Sequence, residues 1–265
     1  MKSLLIEIKE SLGMWRYILY SACLKIFLRN TGSKLGLLWE PLSTLIVSSV
    51  LATVWIRVLG IEGSLLDYFI YVYSGMLIWG AISSAVSNLC ASLVKNAKSL
   101  TNRRLPVFVY IFEDIVVSFI PFLLGLPFLV SFVLVSGYVP SAGDLGLIVL
   151  GIVLMLTASF GFSISVGLSA FFLGDVRQVV TAVMRLGFLV TPVIWKAERL
   201  QNYEYLLLLN PFYGYLHILR SGFTGEPLEI QYVVQAVSVT AFLLLLGVVV
   251  YRNMEVRIQQ RASML

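Results

Sequence analysis

Apolar residues recur at helical spacing along the start of the chain. Leu4, Leu5, Ile8, Leu12, Trp15 and Leu19 share one side, while Lys2, Lys9, Glu10 and Arg16 take other faces. A second register continues with Ile18, Ala22, Ile26 and Phe27, opposite Lys25 and Arg29. Basic residues facing away from Trp and Leu suit a helix lying in a membrane interface. A helix packed on a protein partner fits the same pattern. Thr31 to Glu40 reads as a turn, and Pro41 falls in a first helical turn, where its missing N–H is tolerated. Gly32 and Gly36 form a G-x-x-x-G, but Ser33 and Lys34 between them argue against a buried helix seam.

Six apolar segments then follow, at about 41–60, 68–91, 108–136, 145–172, 177–196 and 230–251. Each is long enough for a hydrocarbon core of roughly 30 Å, which takes about 20 residues. The pattern predicts an all-α membrane protein: an amphipathic helix and turn over 1–34, a transmembrane domain over 35–255 and a short tail over 256–265. Pro121 and Pro127 are expected to kink the third span, and Gly161 and Gly167 to permit close packing of the fourth. A short loop with Gly143-Asp144 makes the third and fourth an antiparallel pair. The segment from Lys196 to Glu229 is not a plain polar loop. Leu206 to Leu209, Phe212, Tyr213, Tyr215, Leu216, Ile218 and Leu219 are apolar, interrupted by Asn210-Pro211 and Gly214. Runs of this length are re-entrant or interfacial more often than spanning, so one or two short helices dipping into the outer leaflet are expected.

Composition agrees with a lipid solvent. The 265 residues are 59% hydrophobic and 12% charged, whereas soluble domains carry about 25% charge. No amino-terminal signal peptide is expected, since the first apolar positions alternate with charges. Lys and Arg fix the orientation. Fourteen of the nineteen flank one set of span ends: Lys2, Lys9, Arg16, Lys25, Arg29 and Lys34, then Lys95, Lys98, Arg103 and Arg104, then Arg177, and finally Arg252, Arg257 and Arg261. Arg57, Lys196, Arg199 and Arg220 lie at the other ends, and Arg185 within a span. An even number of spans with this bias places both termini in the cytoplasm.

The chemistry present is sparse. Cys23 and Cys90 have no metal-site or disulfide spacing. A single histidine, His217, excludes a multi-histidine metal centre. No G-x-x-x-x-G-K-[ST] phosphate cradle occurs, and no carboxylate pair sits within a span, Glu113 and Asp114 lying at a membrane end. Energy for uphill transport has to come from another subunit. Against that background one stretch stands out, Phe171 to Gly225. Asp175 and Arg177 open it, Arg185 lies inside its apolar run, Thr191-Pro192 breaks the run, and Asn210-Pro211 leads on to Arg220. Ionisable groups at bilayer depth are costly, so such residues are candidates for function. Arg185 reads either as an anion contact in a translocation path or as a charge snorkelling or paired with a backbone carbonyl. The cytoplasmic loop of about 95–112 reads either as a solvated anchor for lipid headgroups or as a docking surface. In it Asn102, Arg103 and Arg104 supply donors, and Pro106 fixes the start of the next helix.

Four places carry a family resemblance: Leu35-Gly36-Leu37-Leu38-Trp39-Glu40-Pro41 before the first span; Gly75 to Gly80 in the second; Asp175-Val176-Arg177 into Thr191-Pro192-Val193; and Asn210-Pro211-Phe212 followed by Arg220 and Gly225. In this order, on six spans after an amphipathic helix, the whole chain resembles the permease subunit of type-2 ABC exporters of lipid-linked polysaccharides such as O-antigen, capsule and teichoic acid. The resemblance implies a transport subunit rather than an enzyme, in the bacterial inner membrane, as a homodimer bound to two cytoplasmic ATPase subunits. Those partners would hold ATP and Mg, with no cofactor on this chain and no nucleic acid involved. It also implies an interface helix over 1–30, a coupling element over 95–106 and outer gate helices over 200–225. Asn102, Arg103, Arg104 and Pro106 would then couple to the ATPase, and Asp175 and Arg177 would open the fifth span. Arg185, Thr191, Pro192, Asn210, Pro211, Tyr213 and Arg220 would border the path or its gate. Many relatives carry Arg directly before the Asp of the fifth span, where this chain has Gly174, and Arg177 is the residue left to take that role. A permease for a smaller lipid or drug, and a membrane enzyme acting on lipid-linked sugars, remain as alternatives.

Overall fold

A computed structural model describes residues 4–58, 60, 63–96 and 105–262. Over these residues the chain is all-helical, with no strand. Helices α1 (Leu4–Gly13) and α2 (Trp15–Arg29) replace the single amphipathic helix expected at the start. The break at Gly13–Met14 falls within the first sequence register, between Leu12 and Trp15. Helix α2 buries Ile18, Ala22 and Ile26, while Trp15, Tyr20 and Phe27 stay exposed.

Helix α3 (Trp39–Thr53) follows a 3₁₀ turn, Gly36–Leu38, and continues as a π-turn, Val54–Val58. Helix α4 (Leu65–Lys95) is started by Ser64, whose hydroxyl accepts from the Leu66 amide. It is the central column of the bundle: α3, α5, α6, α8 and α10 all pack on it. Helix α5 (Val107–Val135) begins directly after Pro106 and runs unbroken through Pro121 and Pro127. Helix α6 (Ala142–Phe162) passes through a π-turn, Ser163–Gly167, into α7 (Leu168–Phe172). Gly143 and Asp144 lie in the first turn of α6 rather than in the preceding loop. A capping box makes the difference, with the Ser141 hydroxyl accepting from the Asp144 amide and the Asp144 carboxylate accepting from the Ser141 amide.

Glycine contacts set the spacing around α6. A Cβ on Gly161 would stand 2.9 Å from the Leu244 nitrogen, and one on Gly167 would stand 2.9 Å from the Leu89 carbonyl oxygen. The close packing expected of both glycines is therefore present, against α11 (Ile230–Ala262) and α4. The remaining elements are α8 (Asp175–Val190), a 3₁₀ helix (Ala197–Tyr203), α9 (Tyr205–Leu209) and α10 (Tyr213–Thr224).

Among the described residues, five helical stretches are long and apolar enough to cross a membrane: Gly36–Val58, Leu65–Lys95, Val107–Val135, Ala142–Phe172 and Ile230–Asn253. The chain is thus a multi-pass membrane protein. Helix α8, in the place of the expected fifth span, has 16 residues. At 1.5 Å per residue it reaches about 24 Å, short of the hydrocarbon core, because helical geometry stops at Thr191. The six-span count consequently rests on how residues 191–196 extend it.

At the α1–α2 end, polar contacts tie the amphipathic helices to the bundle. Lys25 Nζ lies 3.0 Å from Glu113 and 3.2 Å from Asp114, both buried on α5. The Ser21 hydroxyl also donates to Glu113. Tyr251 on α11 donates to Glu7 on α1 at 2.6 Å, and Arg29 pairs with Glu40.

Candidate functional site

Two breaks in helical structure, at 191–195 and 210–212, meet at the end of the bundle remote from α1 and α2. Each leaves backbone carbonyls without the partners a helix would supply, and in an apolar surrounding these have to be satisfied by side chains. Arg220 on α10 does most of this. It is 3% exposed; its Nη1 donates to the Pro192 carbonyl at 3.0 Å, and its Nη2 to the carbonyls of Val193 and Tyr71, each at 3.1 Å. Its guanidinium lies 3.7 Å from the centre of the Tyr71 ring, a cation–π contact in a desolvated place. The Tyr71 hydroxyl donates to the Trp195 carbonyl at 2.8 Å, and Tyr68 to that of Ile194 at 2.9 Å. Gly75 leaves room for all of this, since a Cβ there would collide with both Arg220 and the Val193 carbonyl.

The second break is tied to the first. Asn210 is buried and donates through Nδ2 to the Thr191 hydroxyl at 2.8 Å, while its Oδ1 accepts from the Phe212 amide. Gln235 on α11 donates to the carbonyls of Leu207, Leu208 and Asn210 at 2.7, 2.8 and 2.8 Å. Trp79 on α4 packs edge-on against Phe212, with centroids 5.4 Å apart, and lies 6.1 Å from Phe188. Gly187 on α8 admits it, a Cβ there standing 3.0 Å from the indole.

Beside this clamp a cavity of about 370 Å³ opens between the 3₁₀ helix, α10, the 226–229 loop and the start of α11. His217 lines it; the Glu229 amide donates to its Nε2 at 3.3 Å, which places the imidazole proton on Nδ1. Burial holds this histidine below its ordinary protonation range, with Glu229 opposing the shift and Arg220 reinforcing it.

Of the candidates read from the sequence, Thr191, Pro192, Asn210, Tyr213 and Arg220 converge here and are buried, while Pro211 is exposed at the turn. Arg185 does not join them. It is exposed on α8, among the exposed Val183, Leu186 and Leu189. Asp175 and Arg177 are exposed at the opposite end of α8, and no ion pair joins them. Asn102, Arg103 and Arg104 lie outside the described residues; Pro106 takes the position just before α5, as expected. Tyr71, Gly75 and Gln235 were not singled out for this role from the sequence. Gln235 carried the one usable signal, an amide inside an apolar span.

The ABC-2 type transporter family matches residues 17–224, most of the chain. The chain belongs to that family. Two O-antigen export system permease proteins RfbA of Klebsiella pneumoniae are similar to it. One is 22% identical over 233 residues, covering 86% of this chain and 88% of the relative. The other is 21% identical over 231 residues, with the same coverage. As an ABC-2 permease, the chain is a transport subunit, and ATP hydrolysis belongs to a separate ATPase partner.

Proposed function

We propose that this permease pairs with a second copy of itself to form the channel of an ATP-driven exporter, which moves lipid-linked polysaccharide outward across a bacterial inner membrane. The observation that carries the reading is the similarity to O-antigen permeases over nearly the full length of both chains. Pairing is supported by two exposed apolar strips, Ile46, Val47 and Val50 on α3 and Val179, Val183 and Leu186 on α8. On this reading α8 with residues 191–196 is the fifth of six spans, and α9 and α10 form an outer re-entrant gate. Both termini are cytoplasmic, as the Lys and Arg distribution favours.

The two ATPase partners hold ATP and Mg, and the loop bearing Asn102, Arg103, Arg104 and Pro106 meets them. Helices α1 and α2 lie in the inner interface, where Trp15, Tyr20 and Phe27 reach lipid. The experiment is disruption of the gene followed by analysis of surface glycan. Lipid-linked polymer is expected to accumulate inside the cell while the surface loses it. Unchanged surface polymer with none trapped refutes the proposal.

A further inference from the structure

The cavity beside the clamp is lined by Tyr71 and by residues of the 3₁₀ helix, α10, the 226–229 loop and the start of α11. Its volume of about 370 Å³ lies in the range of small-molecule sites, roughly 300–1,000 Å³. The wall has three kinds of chemistry. Tyr213, His217 and Tyr232 form an aromatic side, with Tyr232 edge-on to the other two rings at centroid distances of 4.7 Å. Carboxylates stand around it, from Glu198, Glu204, Glu226 and Glu229. Donors complete it: Lys196 and the His217 Nδ1–H.

These features narrow the ligand class. Among the described residues no group of three His, Cys, Asp or Glu side chains is placed to hold a metal ion. Carboxylates outnumber cations in the wall, which disfavours an anion. An organic cation is best held in a cage of several open ring faces, and one of the faces here, that of Tyr71, is already covered by Arg220. A saccharide uses all of the wall at once. Its C–H face packs on rings, carboxylates accept from its hydroxyls in charge-assisted bonds, and the ring and hydroxyl oxygens accept from Lys196 and His217. We infer that this cavity is a saccharide-binding subsite in each subunit, at the outer end of the bundle, which holds sugar residues of the glycan. The inference rests on the polysaccharide reading above and adds a place where the sugar is held. A bound sugar touching Glu204 and Glu226 bridges the segment after α8 to the loop before α11, so occupancy tightens the outer end.

The test uses the full permease–ATPase complex in lipid nanodiscs, with free D-mannose, D-galactose and N-acetyl-D-glucosamine as probes in saturation-transfer NMR. At least one sugar is expected to give a transfer signal, reduced fivefold or more in the doubly substituted E204Q/E226Q complex. Thermal unfolding of that variant is followed in parallel to show that it folds. Absence of signal for all three sugars, or a signal that the folded variant keeps, overturns the subsite. The two proposals fail separately. Trapped polymer on gene disruption without sugar binding removes only the subsite, and sugar binding without trapped polymer removes only the export reading.

Discussion

Arg220 shows how a buried cation is kept without a carboxylate. Its charge is spread over three carbonyl acceptors and the Tyr71 ring, so the arrangement depends on the planar fork of guanidinium rather than on charge alone. Gly75 is the residue on which it turns. Gly75→Ala puts a methyl group against Arg220 and the Val193 carbonyl, and overpacking of this kind costs about 1–3 kcal/mol. The expected result is a lowered unfolding temperature for the purified permease, while the same substitution at Gly80, where nothing lies within 4 Å, leaves it unchanged. His217 supplies a pH dependence. It is neutral in the fold and accepts from the Glu229 amide, with Tyr213, Tyr232, Glu229 and Arg220 around it. Its folded pKa is depressed, so the unfolded state binds more protons as pH falls. This contribution to stability is complete above the ordinary value of 6.5 and declines as pH drops below it. Hydrogen exchange at the Glu229 amide is expected to quicken between pH 7 and 5 relative to the α4 core; an unchanged ratio contradicts it.

At the scale of elements, the amphipathic pair α1–α2 is held by the buried Ile18, Ala22 and Ile26 and also by one cation. Lys25 faces two adjacent buried carboxylates, Glu113 and Asp114. Lys25→Ala leaves both without their cation. Breaking a buried pair costs about 3–5 kcal/mol, discounted here to about 2 kcal/mol because Lys25 stays more than a third exposed. The expected outcome is faster proteolysis after Arg16 with the spans intact. Five of the six spans read from apolar length, at 41–60, 68–91, 108–136, 145–172 and 230–251, each have a long helix among the described residues, because for them length in lipid decides the structure. Helix α8 was less legible. Its apolar run continues past Thr191 in the sequence, but the chain leaves helical geometry there, held by partners 28 and 149 residues from Arg220 along the chain. Contacts between side chain and carbonyl carry no residue signature, which is why Arg220 and Asn210 could be suspected but their partners could not be named. The split at Gly13–Met14 was not legible, since the first register of apolar positions runs straight across it from Leu12 to Trp15.

For the whole molecule, the informative residue is Arg185, exposed on α8 beside an apolar strip. If two copies face one another there, Arg185 lies at or near their seam and meets an anionic carrier. Arg185→Leu is then expected to reduce export several-fold more than Arg185→Lys, measured as surface polymer per ATP hydrolysed; equal export by all three proteins leaves it without that role. The clamp constrains how such a channel opens. Interrupted helices in membranes are commonly regarded as hinges, but here both interruptions are cross-tied: 191–195 to α4 and α10 through Arg220, Tyr71 and Tyr68, and 210 to 191 and α11 through Asn210 and Gln235. Bending at either break would strip several carbonyls of their partners at once. Helices α4, α8, α10 and α11 are therefore tied into a single block, and in the two-copy channel proposed above a passage would open by the separation of one subunit's block from the other's, carrying the gate helices with it.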